Sequence, residues 1–400
     1  MAQDTQPKPL WQRDDFFDPD GPVCLIIQAT MGIAAGLDRF QPAGFPEVGH
    51  VIYQSPDRDK DKVCIVDSAA SMANHLEQVC LAGENDPSLH SDLAGLPYLK
   101  CVTDRNAEVK DGALGGQSGD PRDRPVATSL TEGHRIASDY FLDGSRFVPN
   151  GPGREVVSTT FREDLRSEFK LIEVKKDKTY FIPSDSWWSI YSTLFQYDPN
   201  SLVHGVLFAK EQIKLSRMLT AHLEAYGAAR VGSSGVKFDR LGKTTSGQPI
   251  FPKDEETAKE IRATFVIDLG ILRSYGRDAK EEGQQSLGLS RKQKELLLAL
   301  ALWKVRQLLR RTFSYRSGCK LAMTDVKIST DSADVKELPT DLPTIDMATV
   351  IGDAGFTKDP RVTSVYYPFD ELFKPGKEEK KDAGDQEEDT SDDGEESGDE

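Results

Sequence analysis

Runs of apolar residues along the chain predict a set of separated β-strands. The stretch PVCLIIQATMGI, residues 22–33, is largely apolar over the length of one strand, which favours a central position in a sheet. Shorter apolar runs predict further strands within 63–66, 200–209, 261–272 and 319–328, the last of these closing the series. The strands therefore come from distant parts of the chain.

Helical periodicity and capping residues predict helices between these strands. Residues 290–313 give the strongest pattern, because Ser290 is a suitable N-cap and the arc of leucine and alanine is wide enough for a largely buried helix. Asp67 and Ser68 are suitable caps for a helix over 70–81. Further helices are predicted within 128–142, 161–172 and 214–227, the last closed by Gly227.

Segments rich in Gly, Pro and Asp interrupt the periodic ones. Residues 34–53, 104–127 and 143–160 have no regular pattern and are expected to be loops or insertions. Separated strands and helices together predict an α+β fold with a mainly antiparallel sheet and long insertions. The expected organisation is a lead-in (1–21), one domain (22–330) with insertions near 104–127 and 143–160, a C-terminal extension (331–375) and an acidic tail (376–400).

Charge changes this picture mainly at the C-terminus. Residues 382–400 hold eleven acidic side chains and no basic one, and without them the formal net charge falls from −16 to −5. Such a block buries no apolar surface and is expected to be disordered. It is interpreted first as a solubilising tail and second as a nucleic-acid mimic that limits unwanted RNA binding. Because the body is also mildly acidic, a nucleic-acid site must be a local basic patch.

Motifs of common enzyme classes are missing from the sequence. There is no G-x-S-x-G, H-E-x-x-H, P-loop or dinucleotide-binding glycine pattern, and the five cysteines form no C-x-x-C pair. We therefore expect no cofactor, no metal and no catalytic residues. No apolar run approaches the ~18 residues of a membrane span, and the first residues do not resemble a signal peptide. A cytoplasmic location without membrane contact is expected.

Groups that bind phosphates concentrate in three places. Basic side chains neutralise phosphates, and hydroxyl, amide and backbone N–H groups position them without reading sequence. The first place is a Gly/Pro-rich loop around Arg39, and the second is the predicted helix start at 68–75, where N–H groups favour anions. The third runs from 214–217 into RVGSSGVKFDR, residues 230–240. Phe40, Phe45 and Phe238 lie beside these loops and could stack on bases.

Seven segments in order resemble one known family. They are LDRFQPAGFPEVG, VDSAASMANHLEQVC, LAGLPYLKC, TSLTEGHRIAS, YDPNSLVHGVLFA, RMLTAHLEAYGAARVGSSGVKFDR and LLLALALWKVRQLLRR. From about residue 22 to 328 the chain resembles the type I-G (formerly I-U) member of the CRISPR-associated seven-family, the RAMP-superfamily backbone subunit of Cascade.

The resemblance implies a fold and a set of partners. It implies an RRM-like, ferredoxin-like core with large insertions, in copies that polymerise head to tail along one CRISPR RNA. The guide then pairs with target DNA, other Cascade subunits complete the complex, and a separate helicase–nuclease destroys the target. On this view the subunit is a scaffold and base pairing reads the sequence. The segment for a thumb-like hairpin is left open between 104–127 and 143–160.

On this basis we expect two sides of an RNA groove. Glycines 232 and 235 would let the main chain approach phosphates that basic side chains neutralise. The predicted RNA-binding residues are Arg39, Ser71, Asn74, Arg135, Lys214, Arg217, Arg230, Gly232, Ser233, Ser234, Gly235, Lys237 and Arg240.

Three other functions stay open at this point. Related backbone subunits of type III systems cut target RNA with a loop aspartate, and Asp38 lies in such a loop. Processing of precursor RNA would need a positioned base, for which His134 and His204 are candidates. A small-molecule enzyme of unknown class is opposed only by the missing motifs.

Overall fold

The computed structural model describes residues 8–45, 49–56, 61–83, 86–103, 109–110, 113–114, 125–150, 153–174, 179–231, 255–279, 285–335 and 337–368. Its helices are α1 Ala69–Gln78, α2 Asp139–Leu142, α3 Phe161–Glu168, α4 Ser186–Tyr197, α5 Pro199–His204, α6 Leu269–Ser274, α7 Arg291–Leu309 and α8 Met347–Asp353.

The strands are mostly short. In chain order they are β1 Cys24–Ile33, β2 Gly44–Phe45, β3 Gly49–His50, β4 Ile52–Gln54, β5 Lys62–Asp67, β6 Leu81–Gly83, β7 Asp86–Leu89, β8 Tyr98–Val102, β9 Val109–Lys110, β10 Ala113–Leu114, β11 Ala127–Thr128, β12 Ser145–Asn150, β13 Gly153–Thr160, β14 Ile172–Val174, β15 Thr179–Phe181, β16 Val206–Phe208, β17 Ile213–Leu215, β18 Leu219–Tyr226, β19 Ala229–Val231, β20 Glu255–Thr257, β21 Glu260–Asp268, β22 Gly276–Arg277, β23 Leu287–Gly288, β24 Phe313–Arg316, β25 Cys319–Thr330 and β26 Val362–Tyr366.

An antiparallel sheet with the longest strands, called the large sheet below, is centred on β1 and β21. Seven of the described strands form it in the order β24-β25-β1-β21-β18-β5-β4. Burial alternates along β1, β18 and β21, so every second side chain faces the core. Helices α1, α5, α6 and α7 contact strands of this sheet. The predicted α+β class with an antiparallel sheet is confirmed, and the prediction of 22–33 as a central strand is correct.

Helix α7 supplies much of this core. Ser290 caps it with a capping box, since its hydroxyl accepts from the N–H of Gln293 and the Gln293 side chain accepts from the N–H of Ser290. The helix is buried nearly all round, as the wide apolar arc predicted. The predictions of α1 with its Ser68 cap and of the amphipathic α3 are also confirmed.

A second sheet joins the middle and the end of the chain. Its described strands lie in the order β11-β8-β26-β12-β13-β10-β9, and β26 runs parallel to β8. The prediction that 143–160 is a loop is wrong, because β12 and β13 form an antiparallel pair there. The strand predicted at 319–328 is present as β25, but β26 follows it. Most of the segment 104–127 lies outside the described residues.

Two other predicted elements have the opposite type. The prediction of a helix over 214–227 is wrong, because this segment forms β17 and β18. Strand β18 lies between β5 and β21 in the sheet, and its residues are alternately buried and accessible. The strand predicted over 200–209 is present only in part, as β16 at Val206–Phe208. Its first half is the helix α5, which begins at Pro199, ends at His204 and is followed by Gly205 with a φ of 77°. Within 128–142 the helical structure is limited to a 3₁₀ turn over Arg135–Ala137 and the short α2.

Candidate nucleic-acid interface

An open cleft gathers basic residues from three separate segments. It has a volume of about 400 Å³, and its lining residues are Gly133, His134, Arg135, His204, Gly205, Val206, Leu207, Lys214, Leu215, Ser216 and Arg217. None of these lining residues carries a carboxylate. The cleft brings together three of the predicted RNA-binding residues, Arg135, Lys214 and Arg217, which the sequence separates by up to 82 positions.

Local strand structure explains why Lys214 faces the cleft. It lies on β17 between Ile213 and Leu215, which are both buried, so the alternation of the strand turns the lysine outward. Arg217 follows at the end of the same segment and is half-buried. Its Nη1 donates to the backbone carbonyl of Ala69 at 3.3 Å. That bond attaches the rim of the cleft to the first turn of α1.

The start of α1 carries two more predicted residues, in different situations. The N–H of Ser71 donates to the Ser68 hydroxyl at 3.1 Å, and the Ser71 hydroxyl donates to Asp67 Oδ2 at 3.1 Å. Asn74, one turn further along α1, is exposed. Of this pair, Asn74 is the residue that presents its side chain to solvent.

Asp67 connects this helix start to the edge of the large sheet. Its carboxylate lies 3.0 Å from His75 Nε2 and accepts from Arg316 Nη2 at 2.7 Å, in addition to the bond from Ser71. Burial acts to raise the pKa of Asp67, but the hydrogen bond from His75 and the charge of Arg316 lower it below its usual value. Arg316 also donates to the carbonyl of Val66 at 2.6 Å. The local frame beside the cleft is therefore cross-linked by charge.

A second cluster of predicted residues lies around β20. Arg39 Nε donates to Glu255 Oε2 at 2.7 Å, and Arg230 Nε donates to Glu256 Oε1 at 3.2 Å. Glu256 is fully buried and also contacts His50 Nδ1 at 3.1 Å. The structure thus brings Arg39 and Arg230 to one ribbon, β19–β20, but each is matched there by a glutamate.

The remaining predicted RNA-binding residues fall within 232–240, which lies outside the described part of the chain. They are Gly232, Ser233, Ser234, Gly235, Lys237 and Arg240, and their assignment stays a prediction. Of the aromatic candidates, Phe40 is fully buried, which suits an anchor for its loop. The side chain of Phe45 and the whole of Phe238 also lie outside the described residues.

The candidates for catalysis occupy three different environments. The side chain of Asp38 is 91% exposed and lies 3.8 Å from Arg39. His134 is exposed at the mouth of the cleft. His204 is buried, and neither of its ring nitrogens has a hydrogen-bond partner among the described residues. Burial and the nearby charges of Lys304 and Arg135 hold the pKa of His204 well below its usual value, so its imidazole is neutral.

Residues 25–230 match the family described as CRISPR-associated protein GSU0053, and the match covers more than half of the chain. The chain belongs to this CRISPR-associated family. Membership indicates a role in CRISPR defence and contact with other components of CRISPR complexes. No curated protein matches the chain significantly.

The CRISPR-associated match, residues 25–230, includes the whole cleft. Every lining residue of the cleft falls inside 25–230, as do α1, Arg39 and Arg230. Residues 232–240, α7 and β20 to β26 fall beyond it. The cleft therefore belongs to the part of the chain that defines the family.

Two residues near the interface were missed by sequence reasoning. Glu77 lies on the buried face of α1 with Met72, Ala73 and Leu76, and an acidic residue on an apolar face is a signal that it has a partner. Arg316 gave no such signal, because its partner Asp67 is 249 residues away in sequence. Long-range ion pairs of this kind leave no local pattern.

Among the described residues, no group of three or more His, Cys, Asp or Glu side chains is placed to hold a metal ion. None of the described helices is both long and apolar enough to cross a membrane.

Proposed function

We propose that this chain is a non-catalytic backbone subunit of a type I-G Cascade, which binds CRISPR RNA and presents it to target DNA. In this proposal the α+β body is a decorated RRM-like RAMP fold, and copies assemble head to tail along one guide. Other Cascade subunits and a helicase–nuclease complete the interference complex. The family membership supports the CRISPR context, and the motifs quoted above support the subtype.

The observation that carries the RNA-binding part is the cleft without carboxylates. In a chain of net charge −16, Lys214 and Arg217 lie on one open surface with His134 and no lining acid. Basic side chains concentrated locally on an acidic body are the electrostatic pattern of a nucleic-acid site. Exposed Asn74 on α1, the helix bonded to Arg217, would add a neutral donor and acceptor of the kind that positions a backbone without reading bases.

A non-catalytic role is supported by the candidates for catalysis. RNA cleavage without a metal needs a base that can reach the 2′-hydroxyl. His204 is buried where it lines the cleft, and His134 and Asp38 are exposed in separate places. We expect the purified chain to leave end-labelled guide and target RNA intact, and specific cleavage abolished by His134→Ala or Asp38→Ala would contradict this.

The central experiment is co-expression with a CRISPR array and the other Cascade subunits, followed by sequencing of the bound RNA. The wild type should retain RNA of uniform length. The variant Lys214→Ala/Arg217→Ala should lose about two phosphate contacts, which lowers affinity about tenfold or more at physiological salt and flattens its salt dependence.

A matched control removes the same charge elsewhere. Lys8→Ala/Lys292→Ala deletes two exposed lysines near the N-terminal end of α7, and we expect it to keep its guide. Equal loss of RNA in both variants would attribute binding to net charge and reject the cleft. A third variant, Arg230→Ala/Lys237→Ala/Arg240→Ala, tests the predicted contribution of residues 230–240 separately. Wild-type protein without RNA would reject the function itself.

A further inference from the structure

Arg135 differs from the other basic residues of the cleft because its guanidinium points into the protein. Its side chain is only 7% exposed. Nε and Nη2 donate to the two carboxylate oxygens of Glu77, each at 2.7 Å. Nη1 donates to the carbonyls of Gly205 at 3.1 Å and Gly133 at 3.3 Å. The forked geometry of the bond to Glu77 is the strongest arrangement that this pair can make.

These bonds join the two walls of the cleft to the helix beneath it. Gly133 lies in one wall and Gly205 begins the other, and the same guanidinium holds both carbonyls. Glu77 is on α1, whose first turn receives the bond from Arg217. One buried ion pair therefore bonds two of the three segments that line the cleft, and Arg217 of the third segment is bonded to the helix that carries Glu77.

The pair continues into the core through a buried amide. Asn200 on α5 donates from Nδ2 to Glu77 Oε1 at 2.7 Å, and its Oδ1 accepts from Lys304 Nζ on α7. Lys304 is fully buried, and burial lowers its pKa. The network thus anchors the cleft to α7, a long helix that is buried over most of its length.

The backbone of Arg135 is also unusual. Its φ of 53° lies in the left-handed region, where a non-glycine residue is strained. Strain of this kind persists only where the surrounding bonds over-determine it. Here four hydrogen bonds of the side chain hold the residue in place, and the strained turn carries His134 at the mouth of the cleft.

We infer that Arg135 is a positioning residue and not a phosphate ligand, and that the Glu77–Arg135 pair sets the separation of the two cleft walls. This inference rests on the proposed RNA-binding function of the cleft. It revises the sequence prediction, which counted Arg135 among the RNA-binding residues on one side of the groove.

Glu77→Gln separates the two roles by the sign of its effect. It removes a negative charge beneath the cleft, so electrostatics alone would strengthen RNA binding. If Glu77 positions the walls through Arg135, RNA affinity should instead fall about tenfold, the lower end of what groups supporting a binding site contribute. The control is Glu295→Gln, which neutralises a mostly buried glutamate bound to Arg291 on the first turn of α7 and should change RNA affinity less than twofold.

The salt dependence of binding is a second measurement, because only the loss of a phosphate contact changes its slope. Arg135→Gln should weaken binding without changing the slope of log K against log salt. Lys214→Ala and Arg217→Ala should each reduce that slope by about 0.7 to 1. A slope reduction of the same size in Arg135→Gln, or tighter binding by Glu77→Gln, would overturn the inference.

A measurement without RNA keeps the inference independent of the proposed function. Hydrogen exchange in Glu77→Gln should accelerate in peptides covering 131–138 and 203–207, relative to wild type and Glu295→Gln. Unchanged exchange there would overturn the inference even if RNA binds. Faster exchange in a protein that binds no RNA would retain the positioning role and reject the function. If the single variant does not fold, Glu77→Met/Arg135→Asn leaves no half of the pair charged, and Asn tolerates the left-handed backbone.

Discussion

Asp67 is the residue at which α1, the end of β5 and the β24–β25 edge are joined. Its side chain is 1% exposed and bonds Ser71, His75 and Arg316. A buried carboxylate with several charged or polar partners is costly to neutralise, since each partner then loses its acceptor. The consequence is local rigidity at the helix start beside the cleft.

Replacement of Asp67 should therefore destabilise the protein, and acid should erase the difference. We expect Asp67→Asn to lower the free energy of unfolding by about 2–3 kcal/mol at pH 7. Because the pKa of Asp67 is lowered in the fold, its contribution is present above the unfolded value near ~4 and is lost as pH falls through the folded value. Urea unfolding at pH 7 and at a series of lower pH values checks this, and a difference that grows in acid would contradict it.

At the residue scale the sequence indicated which basic residues to consider, but not which of their side chains are buried in ion pairs. It singled out Lys214 and Arg217, which the fold gathers with Arg135 at one cleft, and their RNA-binding role stays a prediction. It could not show that the Arg135 guanidinium is buried, because Glu77 lies 58 residues earlier and Gly205 lies 70 residues later. Local composition carries no information on which charges meet inside the core.

The elements show where periodicity succeeds and where it fails. Helix α7 has a cap, helix-forming residues and sufficient length, and all three features favour a helix. The segment ending in LTAHLEAY is rich in Ala, Leu and Glu, which favour helices, yet it forms β18 because its apolar residues also alternate with period two. Neighbours β5 and β21, both remote in sequence, satisfy its backbone and decide the outcome.

The cap of α7 offers a direct test at this scale. Ser290→Ala removes the acceptor for the N–H of Gln293 and should cost about 1 kcal/mol of unfolding free energy. Ser290→Thr keeps the hydroxyl and should cost only about a few tenths of a kcal/mol. Denaturant titration measures both effects as shifts of the unfolding midpoint at an unchanged m-value. An equal effect of both substitutions would mean that side-chain volume, and not capping, matters at this position.

For the whole molecule the proposed function raises the question of how an acidic chain would bind an acidic polymer. The described body offers a basic cleft, whereas residues 382–400 carry eleven of the negative charges. Two interpretations of this block were derived from sequence, a solubilising tail and a competitor of RNA. They differ in their effect on affinity, because a competitor must be displaced before RNA binds.

If the block competes with RNA, deletion of residues 382–400 should raise RNA affinity several-fold at 50 mM salt and have little effect at 300 mM, since the competition is electrostatic. A full-length control with the eleven acids changed to Gln or Asn should behave like the deletion. Filter binding with a fixed guide-length RNA measures both. Equal affinities for all three proteins would identify the block as a solubilising tail.

The position of β1 in the large sheet has a consequence for the making of the protein. Both of its neighbours, β21 and β25, lie between 230 and 305 residues later in sequence at paired positions. At roughly 5–20 residues per second, a ribosome needs about 10–60 s to supply them. Throughout that interval an apolar strand emerges with two unsatisfied edges, the condition under which nascent chains associate wrongly. Production of this protein will therefore depend on the rate of translation and on chaperones near the ribosome exit.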